Sequence, residues 1–137
     1  MTARLVVDSC VAFKWFWQMN EQGVRQAFSL LHDAAAGRVT LVAPASLTIE
    51  LANALRYSAL PKIAVLEAIE TLEIAHVDLY EVTPERLHAA AVLAYRHGIS
   101  VYDALFLQLA EELVCPLVTA DRRAFEGVET EVEVRLL

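Results

Sequence analysis

The stretch Ser100-Val-Tyr-Asp-Ala-Leu-Phe-Leu-Gln-Leu-Ala-Glu-Glu-Leu-Val-Cys-Pro-Leu-Val-Thr-Ala-Asp121 decides how the chain folds. Its first part predicts an apolar helix with Asp103 in the first turn, ended by Pro116 because a proline ring cannot continue the helical hydrogen bonds. A short buried strand, ending just before Asp121, is predicted next. Open parallel sheets bind ligands beyond the carboxyl ends of their strands. Asp103 and Asp121 are therefore expected at one edge of a sheet.

Two further acids fit the same edge. The segment Arg4-Leu-Val-Val-Asp8 predicts a strand that ends in a carboxylate. Glu50 is the lone charge of an otherwise apolar helical run that begins at Ala45. Asn53 lies one turn after Glu50 and Tyr57 two turns after it, so the three form a polar stripe. This stripe predicts that Glu50 faces a functional site rather than open solvent.

The rest of the chain alternates strands with helices. Further strands are expected at 39–43, 76–82 and 128–137, and further helices at 11–19, 21–36, 45–60, 61–75 and 83–97, with one helical turn at 122–125. This alternation predicts one α/β domain spanning residues 1–137. We expect a three-layer sandwich, with a central, mostly parallel sheet of four to five short strands flanked by helices.

Composition narrows the class of protein. The apolar fraction of 57% exceeds the usual 45–50%, which suits a parallel sheet covered on both faces. No apolar run reaches the roughly 18–20 residues of a membrane span, and the N-terminus lacks the features of a signal peptide. Cys10 and Cys115 have no pairing motif, so we predict free thiols in a reducing cytoplasm.

The charge balance bears on the partners of the protein. A net charge of −7 argues against a simple nucleic-acid binder, which normally carries a basic footprint. An acidic protein can nevertheless act on nucleic acid if a divalent metal neutralises part of its clustered carboxylates. The composition therefore leaves that possibility open.

The four acids suggest a particular chemistry. Packed carboxylates repel one another, and a buried unpaired charge is costly. Mg²⁺ or Mn²⁺, which prefer oxygen ligands, would neutralise such a cluster, lower the pKa of a bound water and stabilise charge on a phosphoryl oxygen. Asp8, Glu50, Asp103 and Asp121 would thus suit phosphodiester hydrolysis. Taken singly, Asp103 could instead be a helix N-cap and Asp121 a turn or cap residue.

Four segments resemble a known family. The start Val-Val-Asp8, the Glu50-Leu-Ala-Asn-Ala-Leu helix, the Val-Tyr-Asp103-Ala-Leu-Phe-Leu-Gln-Leu-Ala helix and the strand end Leu-Val-Thr119-Ala-Asp121 are similar to those of PIN domains. Their order and the chain length resemble VapC-type toxins of toxin–antitoxin pairs. The resemblance implies a central parallel sheet, a Mg²⁺- or Mn²⁺-dependent ribonuclease and an antitoxin partner. It places the acidic site on the same four acids, with Thr119 as a hydroxyl that helps to hold metal-bound water.

The sequence departs from the family pattern at one position. The family commonly has Ser or Asn two residues after the first Asp, where this chain has Cys10. A thiol is a poor partner for a hard-metal site. Ser9 could substitute only if the turn after Asp8 re-aims its hydroxyl, so metal affinity or geometry is expected to differ.

Other residues are candidates for contacts with partners. The cationic side chains of Lys14, Arg56, Arg122 and Arg123 could meet RNA phosphates, and balancing surface charge is an equally good explanation for each. The aromatic group Phe13, Trp15, Phe16 and Trp17 exceeds what one face of a short helix can bury. We therefore expect self-association, or binding of a small antitoxin, through part of this group.

Two hypotheses from other classes remain. The first is a non-catalytic module of the same fold that binds RNA or protein. The second is a phosphatase that uses Asp8 as a nucleophile. Cys10 argues against the second, because haloacid-dehalogenase-like phosphatases have a second Asp at that position.

Overall fold

A computed structural model describes residues 2–18, 22–72 and 76–137. The strands are β1 (Ala3–Val7), β2 (Val39–Pro44), β3 (Val77–Tyr80), β4 (Leu117–Thr119) and β5 (Val134–Leu136). The helices are α1 (Ser9–Phe13), α2 (Val24–Ala35), α3 (Ser46–Arg56), α4 (Lys62–Leu72), α5 (Pro84–His97), α6 (Val101–Leu113) and α7 (Arg122–Phe125).

The five strands form one parallel sheet in the order β3-β2-β1-β4-β5. The chain first moves outward from central β1 to β2 and β3, and then returns to the other side of β1 for β4 and β5. Helix α3 packs against α1 and α4, and α6 packs against α5 and the sheet. Because crossovers between parallel strands are right-handed, this strand order is expected to put α1 to α4 on one face and α5 and α6 on the other. The predicted three-layer α/β sandwich is confirmed.

Helix α6 is the best-buried helix of the fold. Seven consecutive residues, Ala104 to Ala110, are buried, and the helix packs against β1, β2 and β4. A helix that is apolar on all sides is expected where both its faces are covered. Here the sheet covers one side and α5 the other, which explains why the stretch after Asp103 is so uniformly apolar.

Several predicted boundaries differ from the structure. The predicted strand at 128–137 is too long, because only Val134–Leu136 pair with β4. The predicted helix at 11–19 starts earlier and is shorter, since turns follow Phe13. Helix α3 ends at Arg56 rather than near residue 60. The predictions for residues 19, 21 and 73–75 fall outside the described residues.

Most of the aromatic group belongs to the core. Trp15 is buried, and its ring Nε1 donates a 2.8 Å hydrogen bond to the carbonyl oxygen of Ala27. Phe13 and Phe16 pack against the core cluster. Trp15 therefore belongs to the core, and the use of another part of this group as an association surface stays a prediction. Cys10 and Cys115 are free thiols, as predicted. None of the helices in the described ranges is both long enough and apolar enough to cross a membrane.

Candidate active site

The candidate site lies between β1 and β4, at the topological switch point of the sheet. Strand β1 connects onward to β2 on one side, whereas its other neighbour, β4, is reached only after the chain has crossed the sheet. Open α/β sheets bind ligands in the crevice at such a point, beyond the carboxyl ends of the strands. Asp8 follows β1 directly, and Asp121 comes two residues after β4.

Asp8 forms the floor of the site. Its side chain is 2% exposed. The Oδ1 atom accepts hydrogen bonds from the Ser9 backbone nitrogen at 2.6 Å and from the Ser9 hydroxyl at 3.3 Å. The Oδ2 atom accepts a 2.8 Å hydrogen bond from the Thr119 hydroxyl. Burial raises the pKa of Asp8 even though these hydrogen bonds act in the opposite direction.

The Thr119 hydroxyl contacts the Asp8 carboxylate and two further groups behind it. It accepts a 3.0 Å hydrogen bond from the backbone nitrogen of Asp121, and the Cys10 sulfur lies 3.5 Å away. The sulfur in turn accepts a hydrogen bond from the Ala120 backbone nitrogen at 3.3 Å. Either the Cys10 thiol or the Thr119 hydroxyl can donate in this contact, and the thiol also forms a hydrogen bond with the Asp8 side chain.

This network gives Cys10 a place in the site. The Cys10 thiol contacts the Thr119 hydroxyl, and that hydroxyl donates a hydrogen bond to Asp8. Although Cys10 departs from the family pattern, its side chain thus takes part in the contacts behind the Asp8 carboxylate. Burial, followed by the nearby charge of Asp8, raises the pKa of Cys10 to about 12. The side chain therefore remains a protonated thiol at physiological pH and can donate its hydrogen bond continuously.

Glu50 contributes the least satisfied group of the site. Its Oε2 atom is buried and has no hydrogen-bond partner among the described residues. Burial, followed by the charges of Asp8 and Asp103, raises the pKa of Glu50 to about 7, while the Ser9 side chain acts in the opposite direction. The charges of Asp8 and Asp103, which come from two other elements, therefore both reach Glu50.

Asp103 is not the N-cap of its helix. Ser100 caps α6, since its hydroxyl oxygen accepts a 3.1 Å hydrogen bond from the backbone nitrogen of Asp103. The same hydroxyl donates to Oδ2 of Asp103 at 3.0 Å. Burial and then the charge of Asp8 raise the pKa of Asp103, with a smaller effect from Asp121. Ser100, rather than Asp103, is therefore the N-cap residue of α6.

Asp121 does have a structural role. Its Oδ1 atom accepts a 3.1 Å hydrogen bond from the Ala124 backbone nitrogen and so caps the short helix α7. The charge of Asp121 contributes to the raised pKa of Asp103, whereas the charge of Asp8 contributes to the raised pKa of both Glu50 and Asp103. We therefore treat Asp8, Glu50 and Asp103 as the centre of the candidate site, with Asp121 at its margin.

Two clefts open on either side of Ser9 and Ala54. The larger cleft, of about 580 Å³, lies between α3 and the start of α6 and contains Glu50 and Asp103. We call it the α3–α6 cleft. The second, of about 460 Å³, is lined by Cys10, Lys14 and Asp121 among others. Sequence reasoning missed this division, and it also missed Tyr102, which lines the α3–α6 cleft.

Some of the remaining candidate residues line these two clefts, and others lie on the open surface. Asn53 is exposed in the α3–α6 cleft, beside Glu50. Lys14 is buried, so it can reach a ligand only through the second cleft. Arg56, Arg122 and Arg123 are exposed, and Arg56 lies 5.2 Å above the ring of Tyr57. Their contact with RNA stays a prediction.

The donor set fits a hard divalent cation in its chemistry. All candidate ligands are carboxylate oxygens, which Mg²⁺ and Mn²⁺ prefer. Oε2 of Glu50 has no partner among the described residues, and the charge of Asp8 raises the pKa of Glu50 and Asp103. Both observations favour a positive charge at this position. Within the described ranges, no three acidic, histidine or cysteine side chains lie close enough together to hold an ion as they stand.

Comparison with solved structures shows the fold. VapC20 of Mycobacterium tuberculosis, a sarcin–ricin loop cleaving toxin, is 16% identical with a TM-score of 0.72 over 94% of this chain and 98% of that one. VapBC2 of Rickettsia felis, bound to a promoter DNA fragment, is 12% identical with a TM-score of 0.69 over 98% of each chain. A toxin–antitoxin complex from Klebsiella pneumoniae is 13% identical with a TM-score of 0.66 over 94% and 98%.

Comparison with curated protein sequences finds no match. The family model of the PIN domain, in contrast, matches residues 5–130, which include all four acids and Thr119. This match covers most of the sequence and agrees with the parallel sheet and its order. The chain therefore belongs to the PIN domain family.

Proposed function

We propose that this protein is an endoribonuclease that hydrolyses RNA phosphodiester bonds with Mg²⁺ or Mn²⁺, and that it is the toxin of a toxin–antitoxin pair. One observation carries the proposal. Asp8, Glu50 and Asp103 come from three separate elements, the charge of Asp8 raises the pKa of both Glu50 and Asp103, and a buried Glu50 oxygen has no hydrogen-bond partner among the described residues. A fold gains no stability from such an arrangement, so a ligand of opposite charge explains it best.

The residues divide the work as follows. Asp8, Glu50 and Asp103 would hold the metal, with Asp121 at the margin. The metal, when bound, supplies activation of water and stabilisation of charge on the phosphodiester. Thr119 and Ser9 fix both oxygens of Asp8. Oε2 of Glu50, which is buried and has no hydrogen-bond partner among the described residues, would be the oxygen with which Glu50 helps to hold the metal.

The proposed partners rest on the solved structures. VapC20 is described as a toxin that cleaves the sarcin–ricin loop, which is RNA, and two other similar structures are toxin–antitoxin complexes. By analogy this chain would cleave RNA in the cytoplasm, form a homo-oligomer and be bound by a small antitoxin. The analogy is one of fold, because the identities are 13–16%.

Cleavage of a mixed RNA pool tests the proposed reaction. The wild-type protein should cleave RNA with Mn²⁺, and EDTA should stop the reaction. Asp8→Asn should be inactive, whereas Asp78→Asn, a change at an exposed aspartate of β3, should be as active as wild type. Equal cleavage by the Asp8→Asn protein, or unchanged cleavage in EDTA, would contradict the proposal.

The second candidate is a module that binds RNA or protein without cleaving it. The observation in its favour is that no three potential ligands in the described part of the chain lie close enough to hold an ion together. Calorimetric titration with Mn²⁺ at pH 7.5 separates the two. Binding that is lost in Glu50→Gln supports the nuclease, and the absence of any binding supports the module.

A further inference from the structure

We infer that the α3–α6 cleft is a nucleobase subsite, in which the ring of Tyr102 stacks on a base next to the scissile phosphate. This inference rests on the proposed function and names the part of RNA that the cleft would bind. Tyr102 immediately precedes Asp103 and lines the same cleft as Glu50 and Asp103. A base held there would lie directly beside the acidic cluster.

Tyr102 is an exposed tyrosine, as Tyr57 and Tyr95 are, but unlike those two it lines the α3–α6 cleft. Its side chain is 64% exposed, and its hydroxyl makes no hydrogen bond to any described residue. Tyrosines that serve the core bury their rings and give the hydroxyl a partner. An exposed aromatic ring at the rim of a polar cleft is, in contrast, a surface on which any base can stack.

The other wall of the cleft offers a second apolar surface. Ile49 of α3 is 72% exposed and also lines the cleft. One large apolar side chain therefore comes from each of the two helices that bound it. A flat base, whose faces are apolar, fits between two such walls.

Stacking would also explain how an acidic protein can hold RNA. The net charge of −7 gives little general attraction for the RNA backbone. Stacking on an aromatic ring does not depend on charge, and its loss typically weakens binding by about 5- to 100-fold per base. The affinity that basic side chains do not supply can therefore come from the cleft.

Two short RNA probes test the subsite with the full chain. One is a 12-residue oligoadenylate, and the other has the same backbone without bases, both measured by fluorescence polarisation with Mn²⁺ in an Asp8→Asn background. The parent protein should prefer the oligoadenylate, and Tyr102→Ala should lose about 5- to 100-fold of that preference. Tyr102→Phe should keep most of it. Tyr95→Ala should keep all of it, because Tyr95 is 93% exposed on α5 and lines neither cleft.

The outcomes separate this inference from the proposed function. A Tyr102→Ala protein that remains folded by circular dichroism and keeps the base preference overturns the subsite, as does a parent protein that binds both probes equally or neither. Cleavage of the mixed RNA pool is scored separately, with Tyr102 intact. RNA cleavage that depends on Asp8, in a protein that shows no base preference, would support the proposed nuclease and contradict only the subsite.

Discussion

The Thr119 hydroxyl lies 2.8 Å from Oδ2 of Asp8 and joins the carboxyl ends of β4 and β1, which are separated by 111 residues in the sequence. Thr119 is fully buried and also accepts a hydrogen bond from the Asp121 backbone nitrogen. One oxygen atom of Thr119 therefore helps to fix both the Asp8 carboxylate and the backbone position of Asp121.

Thr119→Val should show what this atom contributes. Valine has nearly the same shape, but it leaves Oδ2 of Asp8 and the Asp121 nitrogen without their partner. Loss of a buried partner typically costs about 1–3 kcal/mol, so the free energy of unfolding in urea should fall by about that amount. Mn²⁺ affinity should fall as well.

The controls for Thr119 separate the hydroxyl from the side-chain volume. Thr119→Ser keeps the hydroxyl, removes one methyl group and should cost about 1 kcal/mol without weakening Mn²⁺ binding. Thr40→Val, at a partly buried position of β2, should change neither the free energy of unfolding nor the Mn²⁺ affinity by much. Equal Mn²⁺ affinity in Thr119→Val and Thr119→Ser would show that the hydroxyl is not needed.

Glu50 should make the stability of the metal-free protein depend on pH. Its pKa of about 7 in the fold lies above its ordinary value of 4.5, so the folded state binds more protons than the unfolded state between these pH values. Stability should therefore fall as pH rises from about 4.5 to 7 and then level off. Melting temperatures in EDTA measure this trend, to which Asp8 and Asp103 contribute with the same sign.

Glu50→Gln should remove much of this slope. At pH 7.5 without metal, the variant should be more stable than wild type by about 1–2 kcal/mol. The full pKa shift would correspond to about 3 kcal/mol, and the partial exposure of Glu50 reduces it through solvent screening. A variant with the same slope as wild type would mean that Glu50 is ordinarily solvated.

Cys10 should be unreactive in the folded chain. With a pKa of about 12, only about one thiol in ten thousand is ionised at pH 8, and the thiolate is the form that reacts with alkylating reagents. Iodoacetamide labelling followed by mass spectrometry should find Cys10 labelled slowly in native protein and rapidly in guanidinium chloride. Rapid native labelling would contradict the hydrogen-bond network around Thr119.

The sequence predicted the edge of the sheet at which the acids meet, because strand ends and helix starts are local properties. Asp8 after β1, Asp103 in the first turn of α6 and the inward position of Glu50 all follow from apolar periodicity. Hydrogen bonds between Cys10, Thr119 and Asp8 could not be predicted in this way, since they depend on how two strands about 110 residues apart are placed side by side.

At some residues, the local sequence pattern led to a wrong prediction. The alternation of Glu129, Glu131 and Glu133 with valines imitates a strand, yet all three glutamates are exposed and only Val134–Leu136 pair with β4. Lys14 reads as a surface cation, but the fold buries it beside the second cleft. In both cases tertiary packing, which a short window of sequence does not contain, decides the outcome.

Asp103→Asn tests the central claim most directly, through RNA cleavage with Mn²⁺ and the melting temperature in EDTA, both measured beside Asp78→Asn. Asn keeps the size of the side chain, and Ser100 still caps the helix. If the acids form a metal-dependent site, cleavage should be lost while the metal-free melting temperature equals or exceeds that of wild type, because one of the mutually repelling charges is gone. Retained cleavage in Asp103→Asn would contradict the account.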